Sequence, residues 1–163
     1  MSRCELNGEP MSETTDFDLA AAHKYFAASC FNGAWDLIEK KDRTDKDNQM
    51  MVALSYASIV HWSNRPDCDD QKLSIGYWQA SRVQALIHSP HEAVRLGEIC
   101  VSYSHNLPPF FRAYAHEALA RAYKLMGERA QTEHHLAAAL QLLVLVKDER
   151  NRDRLEADLK QLA

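Results

Sequence analysis

Small and aromatic residues between positions 113 and 140 recur at the spacing expected for two helices that pack closely together. Small side chains let one helix approach another, and Gly127 stands between the two patterns, where the chain must turn. The residues that carry the pattern are Ala120, Tyr123, Leu136, Ala139 and Leu140. This stretch predicts a helical hairpin, which can bury its apolar face only against further hairpins.

The composition favours helices in the rest of the chain as well. The chain has 163 residues, 46% hydrophobic and 26% charged, which is typical of one soluble domain. With only 5 Gly and 5 Pro, it has few residues for the turns that many short strands would need. We therefore predict a single all-α domain at residues 15–163. Residues 1–14 show no periodicity, and we predict that they form a mobile tail.

The charge pattern argues against nucleic-acid and membrane partners. The net charge is −4, from 19 basic and 23 acidic residues, and no basic stripe would collect phosphate groups. The apolar runs are much shorter than the roughly 20 residues of a membrane-spanning helix, and we see no leader at the start. The sequence predicts a cytoplasmic protein that binds neither nucleic acid nor membrane.

The polar residues form no recognisable metal, cofactor or catalytic motif. The four cysteines are widely spaced without a C-x-x-C pair, and the adjacent His134 and His135 point about 100° apart on a helix. The acidic loop at residues 67–70 lacks the glycine and the spacing of a calcium loop. We therefore assign no catalytic, cofactor or metal-binding residue and predict that the protein is not an enzyme.

Capping residues and helix breakers divide the chain into about eight predicted helices. Asn32 and Gly33 accept the left-handed conformation that ends helices, so we place a break there. Thr44 and Asp47 predict a capping box at the start of helix 3. The predictions are helix 1 at 17–30, helix 2 at 34–41, helix 3 through 50–61, helix 4 at 73–87, helix 5 at 89–104, helices 6 and 7 in the hairpin, and helix 8 from about 148.

The hairpin is similar to a tetratricopeptide repeat (TPR). In that family the first helix carries a small residue at the eighth position and an aromatic residue at the eleventh, which Ala120 and Tyr123 match if the repeat starts at Ala113. Weaker matches start at Ser74 and Thr15. The resemblance implies a short right-handed superhelix of degenerate helix-turn-helix repeats with a C-terminal capping helix. From residue 25 onward the chain also resembles single-domain bacterial TPR-like proteins of unassigned function, through segments such as 61–63, 81–83 and 148–159.

The TPR resemblance also implies a concave groove formed by predicted helices 1, 4 and 6. The residues at its groove-facing positions are His23, Trp78, Arg82, Tyr114, Glu117, Arg121 and Lys124. His61 and Trp62, at the end of predicted helix 3, are secondary candidates. Arg82 interrupts an apolar helix and needs a partner there, because an unpaired buried cation is costly. We predict that this partner is Glu117.

Three functions remain open from the sequence. The first is a non-catalytic protein-binding or peptide-binding module, in which Arg82, Arg121 and Lys124 hold an acidic group while Trp78 and Tyr114 supply apolar area.

The second is a small-molecule sensor or enzyme with a pocket around Arg82, Glu117 and His61. The third is a homodimeric scaffold that associates through predicted helix 7 or 8, since Leu142 and Leu145 exceed what one core face needs.

Overall fold

The computed structural model describes residues 17–162, and this part of the chain is entirely helical. Its seven helices are α1 (Leu19–Glu39), α2 (Asp45–Ser63), α3 (Asp70–Leu86), α4 (Pro90–Ser104), α5 (Pro109–Met126), α6 (Arg129–Leu143) and α7 (Glu149–Lys160). The prediction of an all-α protein is confirmed over these residues. The tail predicted at residues 1–14 lies outside them.

The prediction of about eight helices is wrong at one point, because α1 continues through Asn32 and Gly33. A Cβ atom at Gly33 would lie 3.3 Å from Cδ1 of Leu54, so this glycine lets α1 pack closely against α2. Close packing, and not a left-handed turn, explains the glycine. Predicted helices 1 and 2 are therefore a single helix, which Asp18 caps by accepting the Ala21 N–H at 2.9 Å.

Successive helices pack in pairs, α1 with α2, α3 with α4 and α5 with α6. The first helices of these pairs also meet, since α3 packs against α5, as predicted for helices 4 and 6, and α1 touches α3. The terminal helix α7 packs against both α5 and α6. One surface of α1, α3 and α5 therefore faces a common space that α7 borders.

Leucines of α7 and α6 complete the core at the C-terminal end. Leu155, Leu159 and Leu162 are buried, as the predicted apolar stripe of the last helix requires. Leu142 belongs to the same core, so its assignment to a surface for self-association is wrong. Leu145 and Val144 are exposed, the latter by 79%, and association of two copies through this end of the chain stays a prediction.

Two helix ends that the sequence predicted from local chemistry are present. Thr44 and Asp47 form the capping box of α2, with the Thr44 N–H donating to the Asp47 carboxylate at 2.8 Å. Gly127 ends α5 with a φ of 77°, a left-handed conformation that favours glycine. These two signals depend only on neighbouring residues, which is why they can be recognised in the sequence.

Candidate functional site

A cavity of about 650 Å³ opens between α1, α3, α5 and α7. Aromatic side chains from three of these helices form most of its wall, and we call the cavity the aromatic pocket. The aromatic residues are Phe31, Trp35, Trp78, Phe110, Phe111 and Tyr114. The lining is completed by Glu39 of α1, by Ser74, Ile75 and Arg82 of α3, and by Arg154, Ala157 and Asp158 of α7.

The rings of the aromatic pocket contact one another in a continuous series. The ring centres of Trp35 and Trp78 are 5.6 Å apart, and those of Trp78 and Tyr114 are 5.0 Å apart in an edge-to-face arrangement. Phe110 meets Tyr114 edge to face at 5.0 Å. Edge-to-face pairs at these distances are the favoured geometry of aromatic side chains, so the rings support one another in fixed positions.

Glu117 lies behind this wall and holds Trp78 in place. Its side chain is 0% exposed, and Oε2 accepts the Trp78 indole N–H at 2.9 Å. Oε1 accepts from Arg121, whose Nε is 2.9 Å away and whose Nη2 also donates. Three predicted site residues therefore meet at one carboxylate. Glu117 itself is in the core and does not line the pocket.

Arg82 lies beside a pair of neighbouring tryptophan rings at the pocket wall. Its Cζ lies 5.8 Å from the ring centres of both Trp35 and Trp78, a distance at which cation and ring attract. Nη1 lies 4.0 Å from Glu117 Oε1, which is the contact predicted from the sequence, and 3.7 Å from Asp158 Oδ1. Nε and Nη1 are buried, and neither has a hydrogen-bond partner among the residues described.

Tyr114 links the pocket to the terminal helix. Its hydroxyl donates to Asp158 Oδ2 at 2.9 Å. Burial, and secondly the Asp158 carboxylate, hold the pKa of the Tyr114 hydroxyl far above its usual value. Tyr114 therefore remains a protonated donor at any physiological pH, and α7 is held to α5 by this bond.

Arg121 and Lys124 lie near the site but do not form its wall. Arg121 is bound to Glu117, as described above. Lys124 Nζ lies 2.9 Å from the Leu162 carbonyl oxygen and 3.4 Å from that of Gln161, so it donates to the C-terminal end of α7. A cation at this end of a helix is favourable because the last carbonyl groups carry partial negative charge. Both side chains thus stabilise the helices around the pocket.

His23 and His61 form a separate contact at the other end of α1. Their Nδ1 atoms are 2.9 Å apart, and the Phe26 ring centre lies 5.3 Å from that of His61. Trp35 follows His23 by more than three turns of α1, roughly 18 Å at 1.5 Å per residue. Neither His61 nor Glu117 lines the aromatic pocket, so a pocket that combines them with Arg82 stays a prediction. His23 does not line the aromatic pocket.

Trp62 also has a local role. Arg65 Cζ lies 4.2 Å above the Trp62 ring centre, and the Arg65 side chain donates twice to Asp67. This arrangement closes the turn between α2 and α3. Trp62 is therefore a structural residue of that turn and lies outside the pocket lining.

The sequence reasoning missed the contributions of α1 and α7 to the pocket. The predicted break at Asn32 and Gly33 assigned Trp35 to a different helix from His23. His23 was therefore predicted to face the groove, and Trp35 was not. Phe31 and Trp35 are four residues apart, which is the spacing of neighbours on one helix face, and this spacing was the available signal. Nothing in the sequence indicates that Asp158 enters the pocket, because that contact depends on how α7 docks.

Comparisons with protein-family models, with curated proteins and with solved structures found no match to this chain. Among residues 17–162 no three His, Cys, Asp or Glu side chains are grouped so that they could hold a metal ion. None of the seven helices combines the length and the apolar character needed to span a membrane. The assignment of a function therefore depends on the geometry of the aromatic pocket.

Proposed function

We propose that the protein binds a short peptide segment of a partner protein in the aromatic pocket. The observation that carries this proposal is the wall of six aromatic side chains around a cavity of about 650 Å³. Partly exposed aromatic residues in a concave site supply large apolar contact area with few rotatable bonds, so a ligand is bound at a small cost in side-chain entropy. An apolar or aromatic residue of the partner would fill the cavity.

The buried contacts behind the wall support a binding role because they fix the pocket before a ligand arrives. Trp78 is held by Glu117, and Tyr114 is held by Asp158. A preformed site avoids the entropy loss of ordering its side chains on binding. Arg82 supplies a cation at the wall, so an acidic residue of the peptide would pair with it. Arg121 and Lys124, which the sequence assigned to the same task, are bound to other groups.

We also propose that the chain is a short TPR-like stack with α7 as its cap. The pairing of α1 with α2, α3 with α4 and α5 with α6 supports this, as does the contact of α3 with α5. The position of the pocket between the first helices of the pairs agrees with a concave binding surface. The cap packs on α5 and α6, where the last hairpin would otherwise expose its apolar face.

A substitution that fills the pocket tests the proposed function. Ala157 is exposed on α7 and lines the cavity, so Ala157→Trp should occupy it without disturbing the core. Ala137→Trp on α6 is the matched control, because Ala137 is also exposed but lies outside the lining. Random peptides displayed on phage would be selected on the unmodified protein.

We expect the selected peptides to share an apolar or aromatic residue near an acidic one. Their affinity should fall at least tenfold for Ala157→Trp and remain unchanged for Ala137→Trp. Peptides that bind both variants equally well would place recognition elsewhere and refute the proposal.

A small-molecule ligand is the second candidate. The cavity volume falls within the range of roughly 300 to 1,000 Å³ for ligand pockets, and α7 closes one side of the space. Selection that yields no pocket-dependent peptide, together with a small aromatic compound that loses binding in Ala157→Trp, would favour this alternative.

A further inference from the structure

Asp158 places a carboxylate of the chain itself at the polar side of the aromatic pocket. Its two oxygens are shared, with Oδ2 accepting from the Tyr114 hydroxyl at 2.9 Å and Oδ1 lying 3.7 Å from Arg82 Nη1. The side chain remains 18% exposed at the rim, so solvent and ligands can reach it. This carboxylate occupies the space next to the cation that an acidic ligand would need.

The pairing of Arg82 with its carboxylates is incomplete. Both Glu117 and Asp158 approach Nη1 at distances beyond the roughly 3.2 Å limit of a good hydrogen bond. Nε and Nη1 have no hydrogen-bond partner in the described part of the chain. A carboxylate that approached along one edge of the guanidinium could accept two hydrogen bonds at once, which is the strongest arrangement for this pair of groups.

Asp158 can leave this position while α7 stays docked. Arg154 lies one turn earlier on α7 and also borders the pocket, so it offers Asp158 a partner at the i, i+4 spacing. The helix is held independently by buried Leu155 and Leu159 and by the contact of Lys124 with the Leu162 carbonyl group. Rotation of the Asp158 side chain would end its contact with Arg82 Nη1 and its hydrogen bond with the Tyr114 hydroxyl, while Glu117 Oε1 remains 4.0 Å from Nη1.

We infer that Asp158 is an internal competitor, which occupies in the free protein the place that the carboxylate of an aromatic or apolar ligand takes beside Arg82. This inference rests on the proposed function and names the chemistry of the ligand. An acidic ligand replaces Asp158 beside Nη1 of Arg82 and accepts from the edge of the guanidinium that Nη1 shares with Nη2. A neutral ligand leaves Asp158 in place and gains only apolar contact. Asp158 therefore lowers the affinity of acidic ligands, which must replace it, and leaves the affinity of neutral ligands unchanged.

Two probes that differ in charge test the inference. Indole-3-acetate carries an aromatic ring and a carboxylate, and indole-3-acetamide is its neutral analogue. Binding would be followed by NMR of the ¹⁵N-labelled protein, through the indole N–H signals of Trp35 and Trp78. Trp62 lies outside the pocket and serves as an internal reference.

Asp158→Asn is the test variant, and Asp153→Asn is the control, because Asp153 is an exposed residue of α7 that does not line the pocket. Both substitutions remove one negative charge from the same helix. We expect Asp158→Asn to lower the dissociation constant of indole-3-acetate by about tenfold, which corresponds to about 1.4 kcal/mol. The constant for indole-3-acetamide should change less than twofold, and Asp153→Asn should match the unmodified protein with both probes.

Equal affinities of Asp158→Asn and Asp153→Asn for indole-3-acetate would overturn the inference. An equal gain for the acetate and the amide would also overturn it, because the effect would then be independent of ligand charge. Failure of the proposed function is a different result, in which Ala157→Trp binds both probes as the unmodified protein does, or neither pocket indole signal shifts in any variant. Thermal melting of each variant shows that it is folded before binding is measured.

Discussion

Glu117→Gln is the substitution that most directly tests the polar cluster behind the aromatic pocket. Glutamine has nearly the same shape as glutamate, so it removes the charge and leaves the packing unchanged. Glu117 is 0% exposed and accepts hydrogen bonds from Arg121 and Trp78, with Arg82 at 4.0 Å. The substitution leaves Arg121 without its counter-ion and leaves Arg82 with Asp158 alone, at 3.7 Å. We therefore expect a large loss of stability.

The magnitude follows from the burial of the three charged groups. Removal of one partner of a buried ion pair costs about 3 to 5 kcal/mol, because the other partner remains buried and uncompensated. The side chains of Arg82 and Arg121 are 17% and 19% exposed, so water can partly solvate them and the lower end applies. We expect a loss of about 3 kcal/mol, which lowers the melting temperature by roughly 6 to 12 °C for a chain of this length.

Chemical and thermal unfolding followed by circular dichroism would measure this loss. Glu133→Gln is the matched control, because Arg129 and Glu133 also form an ion pair four residues apart on one helix, α6. Their side chains are 87% and 61% exposed, so this pair is not buried. That control should cost at most about 0.5 kcal/mol. A loss below 1 kcal/mol for Glu117→Gln would refute the reasoning, since it would mean that the carboxylate carries no charge that the arginines need. Combining it with Arg121→Gln should give less than the sum of the two single losses.

Two further predictions concern the pairs α5–α6 and α4–α5. His135 and His116 lie 3.1 Å apart between their Nδ1 atoms, and burial, followed by the neighbouring His116 and His134, lowers the pKa of His135 to about 4. Near pH 6.5 and below, the unfolded chain therefore binds more protons than the folded chain. The free energy of unfolding should fall by about 1 kcal/mol between pH 7.5 and pH 5, a value already reduced for the partial exposure of His135. His135→Gln should make this fall smaller in urea titrations. Gly97→Ala should lower the free energy of unfolding by about 1 to 2 kcal/mol in the same assay, because the added Cβ would lie 2.8 Å from Leu119 Cδ2. Gly33→Ala should lower it by less, since the added Cβ would lie 3.3 Å from Leu54 Cδ1.

The parts of the fold that the sequence predicted correctly depend on neighbouring residues. Helical periodicity, the capping box at Thr44 and the left-handed Gly127 need no knowledge of distant contacts. The buried stripe of α7 followed from the same periodicity, whereas the contact of α3 with α5 was predicted from the TPR resemblance. Gly33 shows the limit of such reasoning, because glycine serves both to end helices and to let helices approach. Only the position of Leu54 across the helix pair distinguishes the two uses.

Part of the candidate site was also predicted from the sequence, on the ground that a buried charge needs a partner. Arg82 and Glu117 could be paired because a buried cation requires a counter-ion and the TPR resemblance placed both residues at groove-facing positions of neighbouring helices. The sequence assigned Arg121 and Lys124 to an acidic group of a ligand, but their actual contacts could not be predicted. An arginine or lysine on the polar face of a helix can meet a ligand, a carboxylate or the end of another helix. Arg121 meets Glu117 one turn earlier on α5, whereas the contact of Lys124 depends on the docking of α7.

The single error at Gly33 also explains why the α1 side of the pocket was missed. A break at that point counts the groove positions of α1 from its first half and gives His23, whereas the continuous helix presents Phe31 about two turns later and Trp35 about three turns later. The consequence is chemical as well as geometric, since a histidine at the wall would suggest proton transfer or metal binding. Trp35 instead adds an indole ring next to that of Trp78, at an equal distance from Arg82. The corrected register therefore supports recognition by apolar contact and charge pairing in a site whose polar groups come from α3, α5 and α7.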